Sequence, residues 1–92
     1  MYMVCRLMKR NGRYVIGPLS FTTGNPAEAM TYAKRAAQSA RWRRIIPAIE
    51  IDATDAKVLR AWETYDTGGI AVITNDPAQI RRRAVSPIGG AP

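Results

Sequence analysis

Asn11-Gly12 lies between two apolar stretches, residues 2–8 and 14–16, and constrains the chain more than any other pair in it. Both residues tolerate positive φ, which a two-residue type I′ turn needs at both central positions. The sequence therefore predicts a hairpin with Arg10 opposite Arg13, Lys9 opposite Tyr14, Met8 opposite Val15 and Leu7 opposite Ile16. Gly17-Pro18 interrupts the second strand as a bulge or edge kink would, and Leu19 to Thr22 continues it.

Asn25-Pro26-Ala27-Glu28 opens a helix. Asn25 can accept from first-turn amides, Pro26 suits the first helical position, and Glu28 stands at the capping-box position. The helix should reach Ala40 or Arg41, with Ala29, Ala33, Ala36, Ala37, Ala40 and Met30 on a face small enough to lie close on a sheet. Thr31, Lys34, Gln38 and Arg41 share its polar stripe.

A third strand is predicted over 45–52, beginning after Pro47 or lying at an edge there, because Pro47 cannot donate to a ladder. Val58, Trp62 and Tyr65 at i, i+4 and i+7 predict a second helix over 55–65, ended by Gly68-Gly69. Residues 70–74 read as a short apolar strand, and Asp76-Pro77 opens a third helix to about Val85. The expected fold is α+β: a small two-layer α/β sandwich of order β-β-α-β-α-β-α. Its N-terminal β-hairpin belongs to a four-stranded mixed sheet, with helices mainly on one face. The 92 residues suffice for a single domain, 1–86, followed by a flexible tail, 87–92.

The residue inventory argues against catalysis. Histidine is absent, which removes the commonest general base and metal ligand. Cys5 is the one cysteine, sits in an apolar strand, and reads as core. No phosphate-binding glycine motif occurs. Glu50, Asp52 and Asp55 form the nearest acidic group, but solvated strand residues followed by a helix-start Asp explain them without a metal. No enzyme activity, cofactor or metal is expected. The N-terminus carries an early charge and no long apolar run, and no stretch approaches the ~20 residues of a membrane span, so a cytoplasmic protein is expected.

Charge is the positive signal. The net charge is +7, and eleven of the fourteen cations are Arg. Residues 1–44 carry nine cations and one acid, whereas residues 45–80 carry two cations and six acids. Such asymmetry points to a polyanionic partner, and the Arg fork matches phosphate. Three clusters stand out as partner-binding candidates. Lys9, Arg10 and Arg13 form the hairpin tip, where Arg10 and Arg13 repel across the turn unless an anion intervenes. Arg41-Trp42-Arg43-Arg44, with Lys34 and Arg35 upstream, sets an aromatic inside a cation run. That is the composition of a stacking-plus-phosphate surface, although Trp42 also has a core reading. Arg81-Arg82-Arg83 is a charge collar or an arm that folds on binding.

Two functions fit this pattern. The first is a non-catalytic basic protein that binds nucleic acid, RNA being favoured, or a ribonucleoprotein. The second is a small phage-encoded inhibitor or adaptor docking on an acidic protein surface. In size and lack of motifs the chain is similar to anti-CRISPR proteins, a resemblance that implies the second class of role.

Overall fold

The computed structural model describes residues 1–66 and 68–76. The hairpin forms as predicted. Strand β1 (Tyr2–Arg10) pairs antiparallel with β2 (Arg13–Thr23), and all four expected pairs, from Arg10↔Arg13 to Leu7↔Ile16, are in register. Asn11 and Gly12 have φ of 52° and 80°, the two left-handed residues the turn demands. Pairing slips between Leu7↔Ile16 and Cys5↔Leu19, so the extra residue falls at Gly17-Pro18.

Helix α1 (Pro26–Ser39) also starts as predicted: the Asn25 side chain accepts from the amides of Ala27 (2.9 Å) and Glu28 (3.4 Å). The capping box is displaced by two residues. Thr23 donates its hydroxyl to Glu28 and accepts from the Asn25 amide at 3.1 Å, so Glu28 closes the turn through Thr23. Ala29, Ala33 and Ala37 are fully buried at i, i+4 and i+8, against Val4, Trp62, Ile70 and Val72.

Beyond the helix the fold departs from expectation. The sheet has six strands, not four, and α1 is the only α-helix among the described residues. The predicted third strand divides. Strand β3 is Trp42–Ile45, a 3-10 turn occupies Ala48–Glu50, and β4 is only Ile51–Asp52. Pro47, which lacks an amide hydrogen, sits at the break. The predicted helix over 55–65 is instead strand β5, Lys57–Thr64, which turns back into β6, Gly68–Thr74. Their pairing is antiparallel, so the two strands form a second hairpin. The period misled because β5 is an interior strand covered on both faces. Ala61 joins one core cluster and its neighbour Trp62 the other, so burial follows no alternation. Gly68-Gly69 begins a strand rather than ending a helix. Gly68 has φ of 92°, and a Cβ there would stand 2.8 Å from the Leu7 carbonyl oxygen. The predicted third helix, the tail and Arg81-Arg82-Arg83 lie outside the described residues.

The strand order β3-β5-β6-β1-β2-β4 puts β3 and β4 at opposite edges. A flat sheet would separate those edges by five strand spacings, about 24 Å. The link from Ile45 to Ile51 has five residues, three of them in the 3-10 turn, and reaches only about 16 Å. The sheet must therefore curl. Its inner face closes on Cys5, Leu7, Tyr14, Ile46, Ile51, Ala61 and Ile73, while α1 covers the outer face.

Candidate nucleic-acid interface

One end of the curled sheet gathers seven of the eleven cations among the described residues. Trp42, Thr64 and Gly68 are in register across β3, β5 and β6, and Gly69 is in register with Leu7 of β1. The β1–β2 tip, the β5–β6 turn, the start of β3 and the C-terminus of α1 thus share this end. The Tyr65 amide donates to the Arg41 carbonyl at 3.3 Å and ties two of these segments together. Arg6 lines a recess with Ser39, Ala40 and Asp66 beside the helix C-terminus. Along β1, Val4 faces the helix, so Arg6, Met8 and Arg10 share its side of the strand.

The cations at this end fall into two groups. Arg44 bonds Glu50 at 2.7 Å and Glu63 at 3.2 Å. Arg43 donates to the Thr64 carbonyl at 2.9 Å, approaches Glu63 at 3.8 Å and lies 4.8 Å over the Tyr65 ring. Lys9 lies 5.3 Å over the Tyr14 ring. These three hold the inner face and its rim. Glu63 organises them: the Tyr14 hydroxyl donates to it, and that bond, with Arg43 and Arg44, holds its carboxyl below the usual carboxylate range. By contrast, the side chains of Arg6, Arg10 and Arg41 have no hydrogen-bond, ion-pair or ring partner among the described residues. Among the described residues Arg13 makes one hydrogen bond, at 3.4 Å to the Ile49 carbonyl.

No family model, curated protein or solved structure matches this chain. The helix cations separate. Lys34 borders Gln38, Trp42 and Trp62 on the β3 flank, whereas Arg35 borders Phe21, Thr31 and Tyr32 on the β2 flank. Phe21 and Tyr32 stack there with centroids 4.4 Å apart. Of the expected polar stripe, Thr31 borders the β2-flank recess, Lys34 and Gln38 border the β3-flank one, and Arg41 lies beyond the end of α1. Trp42 is 42% exposed, while Trp62 is the buried tryptophan. Arg41 has φ of 59°, a left-handed conformation that glycine usually supplies after a helix. It accepts that strain and turns the chain from α1 into β3.

Cys5 is buried and burial pushes its thiol up, which suits a core residue. Glu50 faces Arg44, and among the described residues no group of three or more His, Cys, Asp or Glu gathers for a metal. No helix among them is long and apolar enough to cross a membrane. Sequence reasoning passed over Arg6, Tyr65 and Trp62. Strand parity from Val4 identifies Arg6, but the other two depend on β5 being a strand.

Proposed function

We propose that the protein is a non-catalytic binder of nucleic acid, or of a ribonucleoprotein, that holds the phosphate backbone at the cationic end of its sheet. The supporting observation is how cations sort there. Arg43 and Arg44 are engaged by Glu63 and Glu50, while Arg6, Arg10, Arg13 and Arg41 stay available beside half-exposed Trp42 and exposed Tyr65. Phosphate recognition uses unpaired Arg forks, and exposed aromatics among them add stacking.

The test is the salt dependence of binding to a single-stranded oligonucleotide. About five phosphate contacts give a slope of log K against log salt of roughly −3.5. Failure to bind any oligonucleotide at low salt overturns the reading.

A second reading has its own observation. Ile45 and Ile49, 48% and 84% exposed, flank the Arg44–Glu50 pair. Apolar anchors beside charges suit a protein interface, as a small inhibitor docking on an acidic surface would need. A pull-down divided by nuclease treatment separates the two. Partners lost with nuclease favour nucleic acid, and a retained acidic protein favours the inhibitor.

A further inference from the structure

A cavity of about 140 Å³ opens between the C-terminal half of α1 and β3, lined by Lys34, Ala37, Gln38, Trp42 and Trp62. Two of its lining residues are the buried Trp62 and the 42% exposed Trp42. Lys34 and Gln38 also line it, and their side chains have no partner among the described residues. The left-handed Arg41 reverses the chain so that Trp42, next in sequence, returns alongside the helix. We propose that this cavity receives one unpaired base of a single strand, which makes single-stranded nucleic acid the ligand class of the interface. The inference rests on the nucleic-acid reading above.

The chemistry matches a base closely. An indole face stacks any base, the Gln38 amide both donates and accepts toward a base edge, and Lys34 and Arg41 supply charge for the flanking phosphates. A duplex hides the faces of its bases inside the stack and offers this cavity nothing to enclose. The tip arginines Arg10 and Arg13 engage charge alone and do not distinguish single strand from duplex.

Both tryptophans of the chain line this one cavity, so intrinsic fluorescence reports its occupancy directly. The full chain is titrated at low salt with oligouridylate and oligothymidylate of about 12 nucleotides, with an abasic strand of equal length, and with a duplex. Either base-bearing strand should quench the emission, while the abasic strand and duplex should not. Trp42→Ala should weaken the base-bearing strand by about 5- to 150-fold, the scale of one stacked base. It should leave the salt slope unchanged, because Trp42 neutralises no phosphate. Gln38→Ala, on the exposed helix surface, should also weaken that strand and spare the abasic one. It keeps the test decisive if Trp42→Ala fails to fold. A strand bound with the full salt slope, but without quenching and without loss in either variant, overturns the base cavity and leaves the phosphate reading standing. Equal losses for abasic and base-bearing strands overturn it too. No binding of any strand overturns both.

Discussion

Tyr14 on β2 donates its hydroxyl to Glu63 on β5, although β1 and β6 lie between them in the sheet. Three strand spacings, about 14 Å in a flat sheet, exceed what the two side chains span. The bond therefore exists only because the sheet curls, and it ties the cationic rim to the inner core. Arg43 and Arg44 converge on the same carboxylate from β3.

Tyr14→Phe keeps the ring packing and removes only this donor. Hydrogen bonds to charged groups are worth about 1.5–3 kcal/mol, and the loss should fall in that range. Chemical denaturation with an unchanged m-value measures it. A midpoint equal to wild type would show that the bond does not hold the curl.

The same pair predicts a pH window. The Glu63 carboxyl is held low, first by the Tyr14 hydrogen bond and then by Arg43 and Arg44. A depressed folded-state pKa stabilises above the unfolded value, about 4.3, and that contribution is lost as pH falls through the folded one. Tyr14 is raised, first by burial and then by Glu63. Its contribution is complete below about 10 and is lost as pH rises through its folded value. Stability should thus be flat near neutrality and fall at both extremes. Glu63→Gln should remove much of the acid dependence, and an acid limb identical to wild type would contradict the assignment.

The elements that could be read from sequence are those set by local chemistry. Asn11-Gly12 carries its own turn geometry, and Asn25-Pro26 carries a helix start, so hairpin, register and helix were legible. Strand β5 was not. Val58, Trp62 and Tyr65 fit a helical period, and only the burial of Ala61 and Trp62 on opposite faces decides for a strand. That information lies in β6 and α1, not in β5. The site divides the same way. The clusters around Lys9 and Arg41 are visible as charge, but which arginines stay available depends on Glu63 and Glu50 reaching Arg43 and Arg44. Those contacts follow from the curl, which no local pattern states.

Gly68 and Gly24 should respond oppositely to alanine. Gly68 has φ of 92°, and its Cβ would meet the Leu7 backbone at 2.8 Å, whereas nothing lies within 4 Å of a Cβ on Gly24. Gly68→Ala should cost about 1–3 kcal/mol. Gly24→Ala should be near neutral or stabilise by up to about 1 kcal/mol through the unfolded chain. Thermal melts of the two variants, if indistinguishable, would contradict the close β6–β1 approach.

Arg41 sets stability against binding. Its left-handed backbone costs about 1 kcal/mol that glycine would not incur. Arg41→Gly should raise the denaturant midpoint while lowering affinity for a single strand. A variant no more stable, or one that binds as well as wild type, would remove the functional reason for an arginine there.

The last prediction separates available arginines from structural ones. Arg10 and Arg13 face each other across the turn, a repulsion that an intervening phosphate relieves. Arg10→Ala with Arg13→Ala should flatten the salt slope by about 1.4, two contacts at roughly 0.7 each. Stability should hold or rise, because the like-charge pair is gone. Arg44→Ala should do the reverse. It strips Glu50 and Glu63 of a partner and lowers stability, yet it leaves the slope nearly intact, since its guanidinium already meets two carboxylates. Lys57→Ala with Arg60→Ala, on β5, serves as the charge-matched control and should change the slope little. Anisotropy titrations over a salt series, paired with melts, place each variant on both axes. If Arg44→Ala flattened the slope as much as the tip pair while stability held, the division into structural and ligand-facing arginines would be wrong. If the β5 control matched the tip, binding would follow net charge alone, with no localised interface.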